Sequence, residues 1–139
     1  MTGGAHRDPS GTPLPKKLGI REGSRVLLLG RPPHVDLDEA PGATFVSRGP
    51  GPHDVVVLFV TRRADLERRF AKLTGTLEPA GRLWVAWPKK AAGVETDLTF
   101  EVVQRIGLDA GLVDNKSASI DATFQGLQFV YRLRDRPRA

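Results

Sequence analysis

Asp54-Val-Val-Val-Leu-Phe-Val60 decides the fold. Six consecutive apolar residues behind one acid leave no polar face, which suits an inner strand of a parallel sheet covered on both sides. On either side, Gly23-Ser-Arg-Val-Leu-Leu-Leu-Gly30 and Leu77-Glu-Pro-Ala-Gly-Arg-Leu-Trp-Val-Ala-Trp87 have the same character, with strands expected at 25–29 and 82–87. Ala43-Thr-Phe-Val-Ser47 reads as another strand between Gly/Pro punctuation. The period then changes. Leu66, Phe70, Leu73 and Leu77 form one helical stripe among charged residues, and Glu78-Pro79-Ala80-Gly81 is expected to stop that helix. Asp97 is placed to cap a second helix carrying Leu98, Val102, Val103 and Ile106, with Glu101 in its first turn. A helical turn is expected at 16–22, after an extended Thr12-Pro13-Leu14-Pro15. At the end, Leu127, Phe129, Tyr131 and Leu133 alternate with Gln128, Val130, Arg132 and Arg134, a half-exposed edge strand. It would pair with a strand near 112–120 across a turn at 121–126. The order predicts a single α/β, Rossmann-like domain with a mostly parallel sheet and a C-terminal antiparallel hairpin.

The chain has 139 residues, enough for one domain with a substantial core. The expected organisation is a disordered tail at 1–12, the α/β domain at 13–134 and a basic tail at 135–139. The absence of cysteine excludes disulfides, thiolate metal sites and thiol catalysis. A six-residue apolar run falls far short of the ~20 residues of a membrane span. With no signal-like apolar block near the start, a cytoplasmic location is expected. Lys+Arg 21 against Asp+Glu 16 gives a net charge of +5. Residues 25–131 carry equal numbers of acids and bases, so the whole excess lies at the two ends. Such ends can touch phosphates, and they supply a weak nucleic-acid-binding alternative.

The three apolar strings, closed by the hairpin-like 111–133, resemble the class I methyltransferase sheet. In that family a strand ends in glycine, an acid leads the central strand, and a Leu-Pro-Gly-Gly-like turn feeds the next. The resemblance implies a cofactor loop after Gly30 and a ribose-binding acid near Ser47. This chain has Arg31-Pro32-Pro33 in the first place and Arg48 beside the second. Prolines offer no N–H, and Arg cannot accept a hydroxyl hydrogen bond. A trimmed methyltransferase-like fold that no longer binds adenosylmethionine is therefore expected. Further strings, Gly11-Thr-Pro-Leu-Pro-Lys-Lys-Leu-Gly19, Leu83-Trp-Val-Ala-Trp-Pro-Lys-Lys90 and Gly111-Leu-Val-Asp-Asn-Lys116, are similar to bacterial domain-of-unknown-function family 3052. That family implies no activity.

Ligands of a parallel α/β sheet sit beyond the carboxyl ends of its strands. Five of the six lysines fall in three expected loops. Lys16, Lys17, Lys89 and Lys90 are therefore candidate contacts for a phosphate or carboxylate, with Asp97, Asn115, Lys116 and Asp121 as polar neighbours. Asp and Asn also make their own turns at such places. Trp84 and Trp87 are expected on opposite faces of their strand. His34, Asp36 and Asp38 could share one face of an extended segment, yet they read as a short acidic loop and not a metal site. No nucleophile elbow or phosphate loop is present. The sequence thus favours a non-catalytic binding or regulatory module for an anionic small molecule or protein partner. A small methyltransferase-like enzyme with an atypical cofactor loop is the alternative.

Overall fold

The computed structural model describes residues 12–35, 37, 40 and 42–136, so all but Thr12 of the expected tail at 1–12, residues 137–139 of the expected tail at 135–139, and positions Asp36 and Asp38 lie outside the described residues. Six strands form one sheet: β1 (Arg25–Leu29), β2 (Thr44–Val46), β3 (His53–Phe59), β4 (Leu77–Pro88), β5 (Val113–Ser119) and β6 (Phe124–Val130). Their order is β2-β1-β3-β4-β6-β5. β1 through β4 pair in parallel, while β6 runs antiparallel to β4 and to β5. The expected α/β sheet with its closing hairpin is therefore present.

Helices α2 (Arg63–Thr74) and α3 (Phe100–Asp109) cover one face. Leu66, Phe70, Val103 and Ile106 supply the apolar stripes that meet Val56, Leu83 and Phe129 there. Each residue buried in this layer contributes roughly 1.5–3 kcal/mol of transfer free energy. The other face is covered by the four-residue helix α1 (Leu14–Lys17) and by the segment after β1, through Leu14, Leu18, Val35 and Leu37. Trp84 belongs to this second layer and donates its indole N–H to the Leu18 carbonyl at 2.9 Å. Trp87 packs in the first layer, so the two tryptophans take opposite faces and both are buried.

Several boundaries differ from expectation. Pro15 sits within α1, in a first turn where a missing N–H costs nothing. α2 stops at Gly75, and Leu77 already belongs to β4, which runs through Pro79 and Gly81 with a register shift against β3. Thr99, not Asp97, caps α3, its side chain accepting from the Val102 N–H. β6 is an interior strand that ends at Val130, and β5 forms the edge. The chain then enters a 3-10 turn at Leu133–Asp135, which leaves Leu133 exposed.

Candidate functional site

β1 leaves toward β2 on one side, whereas β3 leads to β4 on the other. The strand order therefore reverses between β1 and β3, and the crevice beyond their carboxyl ends is the place such sheets offer a ligand. A cavity of about 240 Å³ lies there, lined by Gly30, Phe59, Val60, Thr61, Asp65, Arg69 and others. It is smaller than the ~300–1,000 Å³ of ordinary small-molecule sites. A larger cleft of about 420 Å³, between Gly19, Glu78 and Arg82, sits at the amino ends of the strands. Topology, and not volume, distinguishes the two.

Gly30 holds φ at +72°, and a Cβ there would come within 2.7 Å of the Phe59 carbonyl oxygen. Glycine at this position is thus demanded by the close approach of β1 to β3. The chain then turns through Pro32 and Pro33. Val35 N–H donates to the Pro32 carbonyl and Arg31 reaches the Val35 carbonyl, while Val35 is buried. The prolines fix a short turn that carries the exposed His34. Its Nε2 lies 2.8 Å from Asp121 Oδ2; the His34 side chain is 53% exposed and that of Asp121 only 5%. The other Asp121 oxygen accepts from the amides of Thr123 and Phe124 and so shapes the β5–β6 turn. His34 also stacks near Phe124, which packs edge-on against Phe59 and lines the cavity.

The residues singled out in the sequence divide into groups. Lys17, Lys89 and Asp121 converge on Ser119: Lys17 Nζ donates to its carbonyl at 2.7 Å and Lys89 Nζ to its hydroxyl at 2.6 Å. Lys116 Nζ reaches the Lys17 carbonyl, joining β5 to α1. Asp97 accepts from the Arg63 N–H at 2.7 Å, while Thr96 donates to the Thr61 carbonyl, so this loop meets the cavity rim. Asn115 instead accepts from Gln128 on the neighbouring strand. Lys16 and Lys90 are exposed; Lys16 borders a separate cleft with Pro13 and Ala40. Asp65, Arg69 and His34 were not singled out as ligand contacts. The first two sit four apart on the charged side of a helix, where any such pair looks like solvated surface, and His34 has its partner far along the chain. Among the described residues, no group of three or more His, Cys, Asp or Glu could hold a metal ion. Among them, too, no helix is long and apolar enough to cross a membrane.

Solved structures share this fold. A SAM-dependent methyltransferase from Aquifex aeolicus superposes with a TM-score of 0.55 at 15% identity, covering 92% of each chain. A TehB-like SAM-dependent methyltransferase from Corynebacterium glutamicum gives 0.52 at 15%, over 80% of this chain and 82% of its own. Mitomycin 7-O-methyltransferase MmcR gives 0.56 at 12% over 78% of this chain. This chain spans about half the length of some of these enzymes, 49% of MmcR and 51% of a magnesium protoporphyrin IX methyltransferase from Synechocystis. No family model matches the sequence, and no curated protein matches it significantly. Two expectations are corrected by these matches. Two of these matched structures are SAM-dependent methyltransferases, which fits the enzyme alternative better than a non-catalytic module and corrects the setting aside of that cofactor. The physical reason is that strand order, and not one loop, creates the crevice, and Pro32-Pro33 leave that crevice in place.

S-Adenosylmethionine joins a zwitterionic amino acid to a nucleoside through a sulfonium. Asp65, whose carboxylate is ion-paired with Arg68, and Arg69 both line the cavity, and their opposite charges complement the ammonium and carboxylate of such an amino acid. The apolar rings of Phe59 and Phe124 suit the remaining surface. The donor set fits the amino-acid end. The cavity is too small to enclose the nucleoside as well; Ser47 and Arg48, which follow β2, are exposed and are not among its lining residues.

Proposed function

We propose that this chain is a small S-adenosylmethionine-dependent methyltransferase, with the donor's amino-acid end held between Asp65 and Arg69 at the β1/β3 crevice. The observation that carries the reading is the placement of this oppositely charged pair on the wall of the switch-point cavity. Bound there, the cofactor supplies an electrophilic methyl group. Gly30 and the backbone of 59–61 limit how deep a ligand can sit, and Phe59 with Phe124 excludes water from that wall. Lys89 and Lys17, gathered on Ser119 at the same end of the sheet, favour an acceptor that carries a negative charge. Asp97 braces the rim through Arg63, and Asp121 shapes the turn beside it. Lys16, Lys90, Asn115 and Lys116 make up the outer part of this proposed set. Kinship with domain-of-unknown-function family 3052 is proposed on the strings at 11–19, 83–90 and 111–116.

Titration calorimetry tests the reading. S-Adenosylmethionine is expected to bind the wild-type chain, and Asp65→Ala or Arg69→Ala to weaken binding about tenfold, the equivalent of ~1.4 kcal/mol for one lost charge contact. Absence of heat and of any thermal stabilisation by the cofactor would overturn it.

A further inference from the structure

Four parallel strands end side by side at the carboxyl end of the sheet, in the order β2-β1-β3-β4. One to three residues beyond each end stands a basic residue: Arg48 after β2, Arg31 after β1, Arg62 after β3, and Lys89 with Lys90 after β4. Neighbouring strands lie about 4.8 Å apart, so the row is roughly 14 Å wide. All five are exposed except Lys89, which is half-buried. Their hydrogen bonds go to neutral groups: Arg31 to the Val35 carbonyl and Lys89 to the Ser119 hydroxyl. None of the five makes an ion pair with an acid among the described residues. Acids at this end are engaged elsewhere. Asp65 pairs with Arg68, Asp97 takes the Arg63 N–H, and Asp121 holds its own turn. Glu95 and Glu101 stay exposed, in the loop before α3 and in its first turn. A single phosphate can use one or two members of such a row; a polyanion uses it all.

The row runs into a cavity. It measures about 510 Å³, is lined by Trp87, Lys89, Phe100, Ser117 and Gln125 among others, and shares no residue with the switch-point cavity. No acid lines it. Phe100, the first residue of α3, leaves 40% of its surface open there. Gln125 gives its amide N–H to the Pro88 carbonyl and keeps its side-chain oxygen as an acceptor, and Ser117 beside it is exposed. An open ring next to a lysine, an acceptor and a hydroxyl suits a nucleobase, whose face stacks while its edge bonds.

We propose that this rim binds single-stranded nucleic acid, with phosphates on Arg48, Arg31, Arg62 and Lys89 and one base against Phe100. A base that is paired and stacked in a duplex could not enter the cavity, so the strand is single. The proposal goes beyond the methyl-transfer reading and stands without it, because none of its residues belongs to the Asp65 and Arg69 wall. The surface also differs from the basic chain ends expected from composition. Arg132, Arg134 and Arg136 follow β6, whose antiparallel course places them at the opposite end of the sheet.

Fluorescence anisotropy of a short labelled oligoadenylate tests the proposal on the full chain without cofactor. Binding is expected to saturate at low salt. The logarithm of its constant should then fall against log salt with a slope near −3, about −0.7 for each of four phosphate contacts. Arg48→Ala and Arg62→Ala, both on exposed positions, should melt with the wild type and each flatten that slope by about 0.7. Phe100→Ala should weaken binding about tenfold with the slope kept, the signature of a lost stacking contact. Arg134→Ala, at the far end of the sheet, should change neither quantity. Absence of saturable binding overturns the proposal, as does a slope indifferent to Arg48 and Arg62. Polyglutamate bound as tightly as the oligonucleotide, or inorganic phosphate competing one for one with its phosphates, would overturn it equally.

Discussion

The two faces of the sheet are covered by different means. On one, α2 and α3 lay regular apolar stripes across β3, β4 and β6. On the other, a single helical turn and a proline-stiffened segment do the same work with Leu14, Leu18, Val35 and Leu37. Both layers are dry: Phe70 in the first and Trp84 in the second are essentially inaccessible. The helical cover is continuous and carries its charges outward. The irregular cover brings His34, Lys17 and the β5–β6 turn together at the carboxyl end of the strands. Both covers hold the sheet and both reach its carboxyl end, α2 through Asp65 and Arg69 and the irregular cover through Lys17 and the β5–β6 turn.

The largest expected effect tests whether the irregular face is a true core. Phe70→Ala and Trp84→Ala should each cost about 3–5 kcal/mol in urea unfolding. A Trp84→Ala loss below about 1 kcal/mol would mean that α1 and its neighbours rest on the sheet without holding it. Next, Gly107→Ala should cost about 1–3 kcal/mol, because the new methyl would be driven into the Phe129 ring that lets α3 sit so close. If it is neutral, the helical face is looser than its packing implies. Asp97→Ala should lose about 1 kcal/mol, since its carboxylate caps the first amide of α2 from another loop. The Arg63–Glu67 pair on exposed α2 surface should be worth no more than about 0.5 kcal/mol when Arg63 is changed to Ala, falling further with salt.

A pH series sharpens the contrast from the opposite end of the sheet. His53, at the start of β3, is fully buried; Nδ1 lies 3.2 Å from the Thr76 hydroxyl and Nε2 has no partner among the described residues. Burial foremost, then the charge of Arg25, pushes its imidazole below the ordinary value, partly opposed by Asp54. The unfolded chain therefore takes up this proton first as pH falls. Stability is full above about pH 6.5 and declines as pH drops through that value toward the lower folded one. Urea midpoints measured on both sides of this range should show the decline, and His53→Gln should flatten it. A midpoint unaffected by the substitution would place the acid sensitivity elsewhere.

How much of this was legible in the sequence follows from the same contrast. β3 and the second half of β4 are buried on both faces and β1 is so at Val26 and Leu27, and these strands appear as apolar runs. α2 announces itself by the spacing of Leu66, Phe70 and Leu73. The first half of β4 does not, because Glu78-Pro79-Ala80-Gly81 has the composition of a turn while its backbone continues alongside β3. β6 looked like an edge because Gln128 and Arg132 alternate with apolar residues, yet Gln128 is buried and spends its amide on Asn115 of β5. The lysines at 17, 89 and 116 were legible as loop residues, but not that two of them meet on one serine. His34 and Asp121 are joined only by tertiary structure, and no local spacing marks such a pair. The same limit hid the cavity, whose existence depends on strand order.

The central claim, that the β1/β3 crevice at the carboxyl end is where the methyl donor sits, is tested most directly by a 1H–15N amide spectrum titrated with S-adenosylmethionine. The account predicts saturable shifts centred on Gly30, Phe59, Val60, Thr61 and Asp65, with the amino-end cleft around Gly19 and Glu78 silent. Shifts centred on that cleft instead, or none that saturate, would contradict it.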